Sequence, residues 1–239
     1  MIYIQSDERK PIPHHFDCAC AMYGSMDLVQ DYRLTTFTEV ESGKFDNLIK
    51  KSLFVGSVEF MKEVFNRVGK TDVRLPENSN RIYTTQKLGD VKKAAKYGLK
   101  AFIKPFDIKL FTGFVIDEME YTSIGNIPDD TEVMVYEPFN SEILSEWRCY
   151  VHFDKVVDIR NYSGDIYETP MKEYLDYIVG KNKGNFPNTY VIDVGILEWQ
   201  KEHVVIEYND MWGIGNYGVP NDLYVRMLKE RYFDIMRNN

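Results

Sequence analysis

The sequence predicts an α+β protein built on antiparallel sheets. Three observations carry that reading. Apolar runs come in pairs joined by short turns over the later two-thirds of the chain, amphipathic helical stretches are interspersed among the pairs, and no repeat or low-complexity tract interrupts them. With 239 residues, 44% hydrophobic and 14% aromatic, the chain can bury a sizeable core. At ~150 residues per domain its length falls between one large domain and two small ones.

Charge narrows the function classes. Lysine and arginine number 29 against 37 acids, a net charge of −8. A surface that acidic repels phosphate backbones, so a broad nucleic-acid-binding face is not expected, although a local basic pocket is compatible with it. No run approaches the ~20 apolar residues of a membrane helix, and the first residues, Met1-Ile2-Tyr3-Ile4-Gln5-Ser6-Asp7, lack a basic-then-apolar signal pattern. Three cysteines, Cys18, Cys20 and Cys149, are an odd number, which favours reduced thiols and a cytoplasmic setting.

In chain order, a short strand is expected at 2–4, then an irregular stretch, then a buried strand at 53–55. Ser57 opens a helix with Val58, Met61, Val64, Phe65 and Val68 on one face, and Gly69 stops it. The run 74–81, Arg-Leu-Pro-Glu-Asn-Ser-Asn-Arg, is polar, rich in turn formers and the natural boundary. Beyond it Asp90 caps a short helix ending at Gly98, and strands follow at 101–104, 113–116 and 133–137. Strands 147–153 and 156–159 flank a turn at Asp154-Lys155. Thr169-Pro170 opens a helix carrying Met171, Tyr174, Leu175, Ile178 and Val179 in phase, closed by Gly180. Strands 190–197 and 203–208 make a last hairpin, and Asn221 caps a C-terminal helix with Tyr224, Met227, Leu228, Ile235 and Met236 inward.

The last hairpin concentrates chemistry. Ile192, Val194, Ile196, Ile206 and Tyr208 share one face by alternation, which leaves Asp193, Glu207 and Asn209 on the other. With a five-residue loop Asp193 lies across from Glu207, and facing carboxylates repel unless something positive lies between them. Three oxygen ligands without His or Cys suit a hard cation such as Mg²⁺; a solvated polar face is the plain alternative. Lys104 ends the apolar strand Ala101-Phe102-Ile103-Lys104-Pro105 beside the loop 106–113, a way to hold polyphosphate without a Walker loop. Matching Cys149, Val151 and Phe153 to Val157 and Ile159 puts Arg148 and Arg160 on one face. Two cross-strand arginines repel, which points to an anionic ligand between them, salt bridges to nearby acids being the alternative.

Together these elements resemble the ATP-grasp superfamily, and more closely a viral, bacteriophage-type branch distinguished by two arginines and a lysine, over about 81–239. The matching pieces are Phe102-Ile103-Lys104-Pro105, the hinge Val133-Met134-Val135-Tyr136-Glu137-Pro138-Phe139, Glu146-Trp147-Arg148, Arg160, Asp193, and Glu207-Tyr208-Asn209. The resemblance implies two α+β subdomains, about 81–135 and 136–239, clasping ATP behind a small N-terminal α/β domain at 1–80. Lys104 would contact the ATP phosphates, backbone groups of Tyr136, Glu137 and Phe139 the adenine edge, and Glu146 the ribose. Asp193, Glu207 and Asn209 would bind Mg²⁺, and Arg148 and Arg160 would steady the transferred phosphoryl group or acyl-phosphate. Two positions depart from the common pattern: Val191 stands where many such ligases have an arginine, and the loop 106–113 has only Gly113 in place of a glycine cluster. The implied reaction is ATP- and Mg²⁺-dependent ligation of a carboxylate to an amine, each a small molecule, peptide or protein, in the cytoplasm (the host's if viral), without membrane or nucleic-acid partners. A kinase-type phosphotransferase using the same metal cage and a non-catalytic nucleotide-binding structural or regulatory protein are the alternatives.

Other motifs are weaker. Gly213-Ile214-Gly215-Asn216-Tyr217-Gly218 matches the dinucleotide glycine pattern but lacks the following strand and acid, and reads as an ordered loop beside Asn209. Asp193-Val194-Gly195 echoes a kinase metal motif without a catalytic-loop equivalent, and Lys44-Phe45-Asp46-Asn47 lacks the glycine of adenylated-lysine ligases. His14, His15, Cys18 and Cys20 are spaced more tightly than zinc knuckles and have no second pair downstream.

Overall fold

The computed structural model describes residues 1–7, 13, 15–76, 82–106, 110–119 and 127–237. The chain divides into two compact units, one made of Met1–Ser79 with Ile143–Asn239 and the other of Asn80–Glu142. The predicted boundary run 74–81 lies mostly outside the described residues.

The first segment runs β1 (Ile2–Gln5), α1 (Phe16–Asp27), β2 (Tyr32–Thr35), α2 (Phe37–Glu41), α3 (Asp46–Ile49), β3 (Leu53–Val55) and α4 (Val58–Asn66). The three strands are parallel, in the order β2-β1-β3, with helices in the crossovers that parallel pairing requires. The stretch between β1 and β3, expected to be irregular, thus holds three helices and a strand. Its signal was weak for a physical reason: α1 is built of small residues and buried on several sides (Cys18, Cys20, Ala21, Met22, Gly24, Ser25), so it shows no clean apolar stripe. Gly24 is required where α1 meets the C-terminal helix, because a Cβ there would lie 2.1 Å from the Asn221 carbonyl oxygen. Helix α4 forms where expected, with the Ser57 hydroxyl accepting from the Phe60 amide and Met61, Val64 and Phe65 buried; Phe60 takes the inward place expected for Val58, which is exposed.

The second unit holds β4 (Tyr83–Lys87), α5 (Leu88–Ala95), β5 (Ala101–Pro105), β6 (Phe114–Ile116) and β7 (Glu132–Tyr136), an antiparallel sheet of order β4-β7-β5-β6. Leu88, Val91 and Ala95 pack on Ala101, Ile103, Ile116 and Val133. Helix α5 starts before Asp90, which falls in its first turn, because Leu88 enters the core; the amides of Leu88 and Gly89 are satisfied by the carbonyls of Thr131 and Asp129.

The chain then returns to the first unit with β8 (Ile143–His152), β9 (Val156–Gly164), α6 (Lys172–Asn182), β10 (Thr189–Leu197), β11 (His203–Asp210) and α7 (Asn221–Arg237). The strands pair antiparallel in the order β11-β10-β8-β9. Odd residues of β8 (Trp147, Cys149, Val151) and even residues of β10 (Tyr190, Ile192, Val194) pack on Leu175, Ile178 and Val179 of α6. On the opposite face Tyr150 and Val191 join the core shared by the N-terminal segment and α7. Strand β10 is therefore buried along its whole length. Three expectations shift. The β8–β9 turn falls on Phe153-Asp154, one residue before Asp154-Lys155, because His152 and Lys155 pair across it. Helix α6 runs through Gly180 to Asn182, and a bulge between Asp193 and Val194 brings Val205, not Ile206, to the α6 side with Tyr208.

The burial of Cys18, Cys20 and Cys149 generates a prediction. All three are free and buried, and desolvation, with the charge of Asp17 adding to it, pushes the Cys18 thiol up to about 12. A thiol-specific disulfide reagent at pH 8 is expected to react far more slowly with the native protein than with free cysteine, because the thiolate is the nucleophile. Denaturant should expose all three thiols; a native thiol reacting at the free rate would contradict the placement.

Candidate functional site

The face of the β11-β10-β8-β9 sheet turned away from α6 carries a charged row. Arg160 on β9 pairs in register with Arg148 on β8, Arg148 with Asp193 on β10, and Asp193 with Glu207 on β11. One ladder position thus crosses all four strands with two cations at one end and two carboxylates at the other. It arises from simple alternation: the apolar residues that meet α6 leave their neighbours facing the opposite way.

At the centre, Arg148 and Asp193 form a bidentate pair, with Nε donating to Oδ1 at 2.9 Å and Nη2 to Oδ2 at 2.8 Å. Arg148 is 6% exposed and Asp193 2%. Burial, with the charges of Glu207 and Glu146 adding to it, holds the Asp193 carboxyl above the usual aspartate range against the opposing pull of Arg148. Burial works against the Arg148 charge too, but the hydrogen bond and charge of Asp193 prevail and keep its proton more tightly held than usual. Asn209 completes the set, its Nδ2 donating to Asp193 Oδ2 at 3.2 Å and to Glu207 Oε1 at 3.1 Å. The anticipated repulsions are therefore met inside the chain. The amide lies between the two carboxylates, and each arginine has its own acid, Arg148 with Asp193 and Arg160 with Asp158 at 2.6 Å. Of the two readings of the facing arginines, the ion pairs to nearby acids are formed.

Above this pair sits an aromatic clamp that the sequence reading did not single out. The Arg148 guanidinium carbon lies 4.2 Å from the Tyr217 ring centre and 5.5 Å from that of Tyr162. The Tyr162 hydroxyl donates to Glu146 Oε2 at 2.8 Å; burial and the charges of Asp193 and Glu146 keep that phenol protonated. Tyr217 belongs to the glycine-rich stretch 213–218, an ordered loop as expected. The Tyr150 hydroxyl is shared between the carbonyls of Gly215 and Asn216 at 2.7 and 2.6 Å, the Tyr224 hydroxyl donates to Ile214, and Asp17 of α1 accepts from the Asn216 amide at 2.8 Å. The loop holds Tyr217 at φ +49 and Gly218 at φ +96. Tyr162 was legible in principle, being two residues beyond Arg160 in a strand that extends further than its apolar residues. Tyr217 was not, because nothing local announces a left-handed tyrosine.

The second unit carries the remaining candidates. Lys104 on β5 faces away from α5, opposite Met134, with Nζ 5.4 Å from the Tyr136 ring centre. Tyr136 ends β7 against Tyr83 and Phe102, and Glu137 and Phe139 lie in the segment just after it. Part of the loop 106–113 lies outside the described residues, as does His14. Cys18 and Cys20 sit two residues apart inside α1 and so point to different sides of it, and no cluster of three metal-binding His, Cys, Asp or Glu occurs among the described residues.

Asp193, Glu207 and Asn209 fit Mg²⁺. Ligands of one Mg²⁺ at ~2.1 Å each lie within ~4.2 Å of one another. The Asn209 amide meets both carboxylates inside that limit, and turning it over presents its oxygen. The donors are all hard oxygens.

Residues 78–227 match the family model described as an ATP-grasp domain, family 2 of one clade of that superfamily, and the chain belongs to that family. Among curated proteins none matches. Solved structures share the fold. A RimK domain ATP-grasp protein from Sphaerobacter thermophilus superposes with TM-score 0.56 at 10% identity, covering 100% of both chains. The ATP-grasp ligase PsnB complexed with minimal precursor gives 0.54 at 10% identity, over 96% of this chain and 98% of that one. The D-alanine–D-alanine ligase from Bacillus anthracis gives 0.52 at 11% identity, over 99% and 97%.

The clamp makes a stability prediction. Replacing Tyr217 with Phe keeps the ring and should change unfolding free energy by less than ~0.5 kcal/mol. Tyr217→Ala should cost ~2 kcal/mol, the upper end for a desolvated cation–π contact. Tyr217→Gly should cost ~1 kcal/mol less than Ala, because glycine accepts positive φ. Denaturant titration reads all three, and an Ala variant as stable as wild type would mean that the stacking contributes nothing.

Proposed function

We propose that this ATP-grasp protein is an ATP- and Mg²⁺-dependent ligase that joins a carboxylate to an amine through an acyl-phosphate. The row Arg160–Arg148–Asp193–Glu207, in register across one sheet, is the observation that carries the reading. Neighbours named as a D-alanine–D-alanine ligase and as a macrocyclase bound with a precursor peptide (TM-score 0.51, 8% identity) support amino acids or peptides as the class of the two substrates.

On this reading Asp193, Glu207 and Asn209 hold Mg²⁺, which when bound neutralises charge on the phosphoryl oxygens. Arg148 favours the ionised form of Asp193 against the effect of burial, fixes it in one orientation, and is a positioning residue. Arg160, with 36% of its side chain exposed, meets the γ-phosphoryl oxygens as the substrate carboxylate attacks phosphorus and the bond to ADP breaks. The amine nitrogen then attacks the acyl carbon, phosphate leaves with the electron pair of the broken C–O bond, and the amine gives up a proton. Lys104 holds the ATP phosphates, the backbone of Tyr136, Glu137 and Phe139 the adenine edge, and Glu146 the ribose.

Two experiments test this. Glu207→Gln should abolish Mg²⁺-dependent nucleotide binding while the melting temperature stays level or rises, since one of two facing carboxylates loses its charge. Unchanged MgATP affinity by calorimetry would sink the metal assignment. For the reaction, hydroxylamine should intercept the acyl-phosphate as a hydroxamate when MgATP is supplied with a panel of amino acids and acidic peptides. Arg160→Ala should bind MgATP within about twofold of wild type yet form hydroxamate more than ~10-fold slower, a transition-state loss above ~1.4 kcal/mol. A hydroxylamine-stable phosphorylated product would replace the ligase with a kinase.

A further inference from the structure

At the far end of the β8–β9 hairpin, within the first unit, lies a cavity of about 660 Å³ bordered by the turn 152–155, the end of α1 and one face of α7. His152 is four residues beyond Arg148, ~13 Å along the strand, so the cavity is separate from the charged row. Its volume falls within the ~300–1,000 Å³ of small-molecule sites.

The lining runs against the composition of the chain. In a protein of net charge −8, Lys50, Arg226, Lys229 and Arg237 line the cavity, with Glu230 the one lining carboxylate among the described residues. Among the described residues Lys50 and Lys229 have no ion-pair partner. Arg226 and Arg237 meet Asp222 and Glu230 only at 3.7 Å, beyond hydrogen-bond length. Leu28, Phe233 and Met236, partly buried against the core, add apolar surface to the lining.

The rim is also conformationally disfavoured. Phe153 and Asp154 occupy a two-residue hairpin turn at φ +48 and +56, positions that favour Asn-Gly. Yet the first of them is a phenylalanine, 54% exposed, lining the cavity. Between the lining residues Leu28 and Gln30, Val29 ends α1 at φ +53, where glycine is the usual residue. Such positions persist where the surroundings hold them, here with the Phe153 amide donating to Asn188 at 2.7 Å and its ring against His152, and they cluster at ligand sites.

We propose that this cavity binds a small organic anion, a phosphate or carboxylate carried on an aromatic or apolar body, with the cations meeting the charge and Phe153 the body. Bare anions would need no phenylalanine and apolar ligands no lysines. Calorimetry with phenyl phosphate, benzoate, inorganic phosphate and phenol tests it, the first two separating the phosphate and carboxylate sources. At least one of phenyl phosphate and benzoate should bind tenfold or more tightly than inorganic phosphate and phenol. Lys229→Glu should weaken it at least tenfold, and Phe153→Gly at least fivefold with an unchanged or higher melting temperature, while MgATP binding stays as in wild type in both. Equal binding by wild type and Lys229→Glu, inorganic phosphate as tight as phenyl phosphate, an unaffected Phe153→Gly variant, or no binding of any probe at millimolar concentration would each overturn the proposal.

Discussion

The buried pair of Arg148 and Asp193 is the constraint on which the charged face depends. Taking two charges out of water is repaid only by good geometry and by partners for the remaining lone pairs, and removing either member of such a pair typically costs ~3–5 kcal/mol. Here the geometry is bidentate, Asn209 takes up a further lone pair of Asp193, and two tyrosine rings cover the guanidinium. Because the partners come from neighbouring strands, the pair also fixes the register of β8 on β10, and a slip of β8 by one residue would turn Arg148 into the apolar layer against α6 and leave Asp193 without its cation. A second buried pair extends the principle: Arg231 of α7 grips Asp210 at the end of β11, at 2.8 and 2.6 Å, one residue past Asn209.

The rest of the first unit is arranged to keep that pair dry. Helix α6 closes one side of the sheet, and the N-terminal core with α7 closes the other around Tyr150 and Val191. Tyr150, on the same face as Arg148, reaches from that core to hold the loop that lays Tyr217 over the guanidinium. Asp17 does the same from α1, which explains why a helix near the start of the sequence bears on a loop two hundred residues later. The close contact of α1 and α7 at Gly24 thus helps to set the geometry of the charged row.

Sequence reasoning recovered what alternation and period control. The facing of Asp193 and Glu207 and the shared side of Arg148 and Arg160 both follow from a two-residue period. What escaped it depends on non-local contact. Helix α1 is buried on several sides and shows no stripe, β2 is a short edge of mixed polarity, and Leu88 starts α5 early because the core pulls it in. The bulge after Asp193 moves Val205 into the place expected for Ile206, since a bulge is set by what packs on both sides of a strand. Repulsion between like charges was a sound signal, but its resolution lay in the unseen pairing of β8 with β10, which supplies a carboxylate to one arginine and a cation to one aspartate.

That pairing makes the two arginines unequal although they sit opposite each other. Arg148 has spent its guanidinium on Asp193 and is enclosed by rings, so its charge acts through a neighbour and as part of the local field. Arg160, at the β9 edge of the row with 36% of its side chain exposed and paired to Asp158, can exchange that partner for a ligand at little desolvation cost. From Glu207 to Arg160 the row spans three strand spacings, ~14 Å, with negative charge at one end and positive at the other. For the proposed reaction, a magnesium-bound phosphate would be favoured in one orientation along such a row. The register of four strands thereby becomes a device for aligning charge.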